Sequence, residues 1–292
     1  MLKNSAKILR ELINQPEIII APGVYDGIST RCVNQAGFKA AYMTGAGVAA
    51  SMTGFADIGL TTMTEMVSAA RMIAMTSDIP LICDADTGYG NQLNVIRTVH
   101  EYEQAGVAAI QLEDQLAPKK CGHMGGKSLI SADEFVQKLK AAVNEKFYRD
   151  TLIIARTDAR AVEGFNHAVE RAKMYIDAGV DMLFFEAPQS VEEVYQVGKL
   201  FGDQVHLLSN QVYGGKTPSM TADELQKAGY DLVIFPSTLP YAASVFLKQV
   251  SDNLMKIRTD KEAFPGSSNA MDLFLTMGLM EWREKEMKYG LK

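Results

Sequence analysis

The stretch "PLICDADTGYGNQLNVIRTVHEYEQAGVAAIQLEDQ", residues 80–115, decides how the chain folds. It opens on an apolar run of strand length that ends in Asp84 and Asp86. A helical pattern follows and stops at Ala105–Gly106. A second apolar run, "AAIQLED" from residue 108, then ends in Glu113 and Asp114. Nearly continuous apolar strands separated by one helix are the pattern of parallel strands covered on both faces.

The same unit recurs along the chain. Apolar runs begin near residues 17, 40, 80, 108, 152, 182, 205 and 231. Ala36–Gly37, Ala105–Gly106, Ala178–Gly179 and Ala228–Gly229 each precede a run, where glycine can take the left-handed position that ends a helix. Thr62 with Glu65, Ser131 with Glu134, Ser190 with Glu193 and Thr221 with Glu224 have the spacing of reciprocal capping boxes. Eight strand–helix units in about 250 residues predict an α/β fold of the (β/α)8 TIM-barrel type. A doubly wound open sheet would usually have fewer strands, and no GxGxxG follows the first run.

The expected organisation is a barrel with an N-terminal helix over residues 1–250 and a helical extension over 251–292. The extension is rich in methionine. Met271, Met277, Met280 and Trp282 exceed what a barrel needs, and a solitary apolar helix is unstable in water. They are expected to pack on another subunit.

Composition removes several function classes. The 292 residues are 47% hydrophobic and 22% charged, with a formal net charge of −6. No basic block extends beyond Lys119–Lys120, which argues against nucleic-acid binding. The first residues read as an amphipathic helix rather than a signal peptide, and no run reaches the ~18 apolar residues of a membrane span. Cys32, Cys83 and Cys121 are odd in number and lack metal-ligand spacing, so reduced thiols and a cytoplasmic location are expected.

In such a barrel, catalytic groups sit at the C-terminal ends of the strands. Polar residues collect there: Asp84 and Asp86, Glu113 and Asp114, Arg156 and Asp158, Glu186, and Asn210. Asp84 and Asp86, two apart, are expected to share one face of a strand. Converging carboxylates repel unless a cation neutralises them, and oxygen-only ligands suit a hard ion such as Mg²⁺, with Mn²⁺ an alternative. None of the four histidines lies at these ends, which argues against zinc; His100, His167 and His206 are read as structural or surface residues. After the second run, "TGAG" offers consecutive backbone N–H groups able to cradle a carboxylate or phosphate. Gln115 to Ile130 spans sixteen residues between the fourth run and its helix. The usual connection is ~2–6, so a functional lid is expected.

These motifs, "DADTGYGN", "IQLEDQ", "KKCGH", "ARTDA" and "FEAP", in this order, resemble the isocitrate lyase/phosphoenolpyruvate mutase superfamily across nearly the whole chain. "KKCGH" is similar to the signature of its carbon–carbon lyase branch. The resemblance implies a (β/α)8 barrel whose last helices swap between subunits in a homotetramer or dimer. It further implies Asp86 as the closest Mg²⁺ ligand, assisted by Asp84 and Glu113. Thr44, Gly45 and Ala46 would cradle the substrate carboxylate, although the family often has glycine where Ala46 stands. Arg156 would bind the 2-oxygen and carboxylate, with Tyr42, Asp57, Glu186 and Asn210 lining the pocket. Cys121 and His123 would sit on the gating loop, the thiol protonating a carbanionic product. The base that takes the substrate hydroxyl proton is left open between a metal-associated carboxylate and tyrosine.

The implied activity is retro-Claisen cleavage of a 2-hydroxy di- or tricarboxylate, giving pyruvate and a carboxylic acid. "NQVYGGKTPS", residues 210–219, keeps Asn210 but departs from the N-x-T/S-E-F-G pattern of isocitrate and methylisocitrate lyases. It looks more like the dimethylmalate lyase and oxaloacetate hydrolase group. Oxaloacetate hydrolysis or decarboxylation and phosphonomutase chemistry are the alternative reactions.

Overall fold

The computed structural model describes residues 4–122, 124–260 and 269–290. Helix α1 (Ser5–Ile13) leads into β1 (Ile19–Val24), α2 (Gly27–Gln35) and β2 (Ala41–Met43). A short α3 (Gly45–Val48) runs through one π-turn into the loop before α4 (Met63–Thr76). The alternation continues with β3 (Leu81–Asp84), α5 (Gln92–Ala105), β4 (Ala109–Glu113), α6 (Ala132–Glu145) and β5 (Leu152–Thr157). Then come α7 (Ala159–Val162), α8 (Phe165–Asp177), β6 (Met182–Phe185), α9 (Val191–Phe201), β7 (His206–Asn210), α10 (Ala222–Lys227) and β8 (Leu232–Phe235). All eight strands pair in parallel, each with its sequence neighbours, and β8 returns to β1, so the sheet closes into a barrel. The expected fold class is the one observed, and each strand starts within about two residues of its expected apolar run.

Period two divides the strand side chains between two cores. Ile19, Ala21, Tyr42, Ile82, Ala109, Ile154, Phe184, Leu208 and Ile234 fill the barrel interior, and Leu9 and Ile13 of α1 join them. Leu81, Cys83, Ile110, Leu112, Ile153 and Ala155 point outward to α4, α5 and α6. Leu183, Phe185, Leu207 and Val233 do the same toward α8, α9 and α10. This alternation fixes which residues reach the mouth, because the side chain two positions past an interior residue points the same way.

The four Ala–Gly stops behave as expected: Gly37, Gly106, Gly179 and Gly229 all have positive φ. The capping boxes need a correction. Thr62 and Thr221 form reciprocal boxes with their glutamates. Ser131 and Ser190 accept from the first turn, but their helices carry no return bond. At Ser190 the cause is visible: Arg160 draws the Glu193 carboxylate into a two-pronged pair at 2.7 and 2.8 Å.

The chain divides into two compact units, Met1–Pro240 and Tyr241–Lys292. The second contains most of α11 (Thr238–Ile257), then α12 (Ala270–Thr276) and α13 (Leu279–Tyr289), and none of these helices buries a residue. Met271, Met280 and Trp282 are exposed, and Met277 is half-buried. No helix among the described residues is long and apolar enough to cross a membrane.

A close backbone approach ties α9 to the end of α10. A Cβ added at Gly198 would lie 1.6 Å from the Ala228 carbonyl oxygen. Backbone cannot yield there as a side-chain tip could, so overpacking applies in full. Gly198→Ala is expected to lower unfolding stability by about 2 kcal/mol or more, read as a lower urea midpoint with an unchanged m-value.

Candidate active site

The mouth is built by extending the interior rows of the strands. Beyond Ile82 comes Asp84; beyond Ala109 come Gln111 and Glu113. Beyond Ile154 comes Arg156, beyond Phe184 comes Glu186, and beyond Leu208 comes Asn210. All of them are buried. Tyr42 of β2 is also interior, and its hydroxyl donates to Gln111 Oε1 at 2.6 Å. Gln111 Nε2 in turn donates to Asp84 Oδ1 at 3.2 Å. Gln111 escaped the sequence reading because a lone neutral amide inside an apolar run carries no charge signal.

Asp86 departs from expectation. Strand β3 ends at Asp84, and Asp86 has a φ of 47°, in the left-handed region. Its backbone N–H turns back to Asp84 Oδ1 at 3.0 Å. The two carboxylates therefore meet through a tight turn rather than through strand pleat. Asp114 also departs. One residue past Glu113 it faces outward, accepting from Thr157 Oγ1 and the Tyr175 hydroxyl, both at 2.8 Å.

Two cations hold the acids together. Lys119 Nζ lies 2.5 Å from Asp57 Oδ1 and 2.8 Å from Asp86 Oδ1, with its side chain buried. Arg156 contacts Asp158 at 2.9 Å, Glu113 at 3.3 Å and Glu186 at 3.6 Å. Asn210 Nδ2 donates to Glu186 Oε2 at 3.1 Å. Burial, reinforced by Asp86, pushes the Asp84 carboxyl up to about 6. Burial also raises Glu113 well above the usual carboxylate range, against the pull of Arg156. Both shifts are led by burial, which makes the ionised carboxylates costly and outweighs the pull of the nearby cations. Burial, with Asp84 next, pushes the Tyr42 phenol well above its ordinary value, so it stays protonated and donates to Gln111.

Among the described residues, no three of His, Cys, Asp and Glu are gathered at metal-ligand spacing. The donor chemistry nevertheless fits a divalent cation. Asp86 Oδ1 and both Glu113 carboxylate oxygens are buried and lack a hydrogen bond of acceptable geometry, although Lys119 and Arg156 lie near them. The set is all oxygen, as a hard ion requires. The Lys119 ammonium thus occupies a position between carboxylates that a cation would otherwise neutralise.

Thr44 caps α3, accepting from the Gly47 N–H, so Gly45 and Ala46 form the first turn, whose N–H groups a helix leaves without internal partners. Gly45 lies against Asp84; a Cβ there would meet Asp84 Oδ2 at 2.6 Å. Ala46 is exposed.

The long connection after β4 is folded over this mouth. Its base is a two-strand bridge, Gln115 to Leu129, with Leu116 N–H donating to Ser128 O at 2.8 Å. Cys121 is half-buried, and its backbone N–H donates to the Asp57 carbonyl at 3.2 Å. Gly122 packs on the acid–base pair below: a Cβ there would lie 2.4 Å from Arg156 Nη2 and 2.8 Å from Glu186 Cδ. His123 lies outside the described residues. The other histidines stay away from the mouth: His100 stacks on Phe147, His167 faces Glu163 O just ahead of its own helix, and His206 pairs with Asp231.

The phosphoenolpyruvate phosphomutase family matches residues 9–255. The chain is 42% identical over 294 aligned residues to a 2,3-dimethylmalate lyase of Eubacterium barkeri, covering 98% of this chain and 99% of that one. It is 40% identical to a 2-methylisocitrate lyase of Aeropyrum pernix, covering 100% and 93%. Among solved structures it resembles an oxaloacetate acetylhydrolase bound to the inhibitor 3,3-difluorooxalacetate, with a TM-score of 0.94, 36% identity and coverage of 99% and 98%. A phosphonopyruvate hydrolase in complex with oxalate and Mg²⁺ is also similar, with a TM-score of 0.87, 26% identity and 99% coverage of both chains. A buried acidic mouth under a cysteine-bearing loop, on a closed barrel that matches these enzymes over almost its full length, is one conclusion reached twice: the chain belongs to the phosphoenolpyruvate mutase/isocitrate lyase superfamily.

Proposed function

We propose that this protein is a divalent-metal-dependent carbon–carbon lyase acting on a 2-hydroxy-2-alkyl di- or tricarboxylate of the 2,3-dimethylmalate or 2-methylisocitrate type. The observation that carries the reading is the seating of the Cys121–Gly122 segment against Arg156 and Glu186, above the Asp84–Asp86–Glu113 acids. Similarity to two lyases at 40% and 42% identity supports the same chemistry. Mg²⁺ is the favoured ion, with Mn²⁺ next, because the donors are hard oxygens. When bound, the ion lowers the pKa of the substrate hydroxyl and offsets carboxylate charge. Asp86, with Asp84 and Glu113, would hold it.

Arg156 orients the substrate's 2-oxygen and carboxylate, and the first turn of α3 at Thr44, Gly45 and Ala46 receives a carboxylate. Asp57, Glu186 and Asn210 line the remaining wall. The hydroxyl proton passes to a carboxylate of the mouth; Asp84, held by Gln111, is placed to accept it. Tyr42 keeps its proton and positions Asp84 through Gln111. As the O–H electrons form the new C=O, the C2–C3 bond breaks. Its pair delocalises into the departing carboxylate, and the Cys121 thiol protonates C3. Arg156 stabilises the developing charge. The thiolate that remains is stabilised by His123 and the neighbouring lysines until a proton taken from solvent restores the thiol.

Residues 251–292 serve subunit packing in a homotetramer or dimer, which accounts for their exposed methionines and aromatics. No disulfide links the three cysteines, in keeping with a reducing, cytoplasmic setting. Oxaloacetate hydrolysis remains the second reading, favoured by the similarity to the acetylhydrolase.

Incubation with 2,3-dimethylmalate, 2-methylisocitrate, citramalate and oxaloacetate, with coupled detection of pyruvate and separate detection of oxalate, tests the reading. Pyruvate from one of the first three is expected; oxalate from oxaloacetate alone would install the hydrolase instead. Cys121→Ala is expected to lower kcat by a factor on the order of 10² or more while the unfolding midpoint stays near wild type. Turnover retained in that variant would remove the thiol from the proton transfer.

A further inference from the structure

Two buried ammonium groups, one on each limb, tether the loop over the mouth. Lys119 fixes the first limb to Asp57 and Asp86. Lys127 fixes the second: its Nζ donates to the Gly122 carbonyl and to Asp158 Oδ1, the latter at 2.6 Å, and its side chain is 1% exposed. Lys120, between them, donates to Gly126 O within the same loop and remains near solvent. The Lys119 anchor falls on a carboxylate assigned to the metal, so cation binding competes with it. The Lys127 anchor touches none of Asp84, Asp86 and Glu113.

The Lys127 contacts join two parts of the proposed chemistry. Asp158 Oδ1 also accepts from Arg156 Nη2 at 3.1 Å, and Asp158 Oδ2 accepts from Arg156 Nε at 2.9 Å. Gly122 immediately follows Cys121 and has no room for a Cβ above Arg156 and Glu186. One ammonium therefore fixes the peptide next to the thiol and the carboxylate that aims the guanidinium.

We propose that Lys127 is the latch of the closed lid, a positioning residue that sets Cys121 over the reacting carbon by clamping Gly122 to Asp158. The latch is reversible for a physical reason. Opening the loop carries the ammonium into water, and its regained hydration offsets much of the lost attraction to Asp158. Asp158 keeps Arg156 as a partner, so the barrel is not left with a lone buried charge. Closure is then near balance, and a bound substrate dianion under the lid shifts it.

The role rests on the lyase reading, but its test needs no substrate. Iodoacetamide alkylation of Cys121 in the full chain, followed by peptide mass spectrometry, reads how often the loop opens. Buried Cys83 and exposed Cys32 serve as internal references. The rate is followed against pH, since a changed thiol acidity moves the midpoint, whereas opening raises the high-pH plateau. Lys127→Met is expected to raise that plateau by about tenfold or more, the scale of a charged hydrogen bond, with the Cys83 and Cys32 rates unchanged. Should K127M fail to fold, the charge-balanced double variant K127M/D158N carries the test, and the same rise is expected. A plateau equal to wild type in the folded variant overturns the latch, whatever the substrate panel shows. A tenfold rise with no pyruvate from any acid supports the latch and sinks the lyase reading alone.

Discussion

The confinement of acidic side chains to one buried end of the barrel is the constraint on which everything else depends. Asp84, Asp86, Glu113, Asp158 and Glu186 are all buried within the reach of Lys119 and Arg156. Buried carboxylates without compensation are costly: these five acids face three buried cations, Lys119, Arg156 and Lys127, and burial raises Asp84 and Glu113 against the pull of those nearest them. The site is therefore set to gain from another positive charge and from hydrogen-bond donors brought by the loop. In the proposed function, metal binding and lid closure both draw on this imbalance, and an anionic substrate would bind only once added positive charge has reversed it.

Much of this was legible in the sequence, because pleat and apolar runs are local properties. The strands, the closed order and the row of polar residues at the strand ends follow from period two and from recurring Ala–Gly stops. What the sequence withheld depends on geometry that period two does not reach. Asp86 leaves the strand and returns through a left-handed turn, while Asp114, adjacent to Glu113, belongs to an outward network with Thr157 and Tyr175. Gln111 is neutral and Lys127 lies fourteen residues beyond β4, so neither announces its partner. The return bonds expected at Ser131 and Ser190 depend on competition, as Arg160 shows by claiming Glu193.

The loop illustrates how length becomes function. A connection of sixteen residues could have been idle surface. Here its base is zipped by the bridge at Gln115 and Leu129, and two lysines drive its limbs into the acidic mouth. Glycine at 122 lets the backbone come down onto Arg156 and Glu186, where a Cβ would have to push both side chains aside. Excluding water there matters most for a step in which a carbanion must receive its proton from one chosen donor.

The charge imbalance itself is the central claim, and titration of the metal-free chain with Mn²⁺, monitored by electron paramagnetic resonance, tests it most directly. One ion per chain is expected, with binding lost or at least about a hundredfold weaker in Asp86→Ala while the unfolding midpoint is retained. Stoichiometric binding that is unchanged in Asp86→Ala, or no binding by the wild-type chain, would contradict the account.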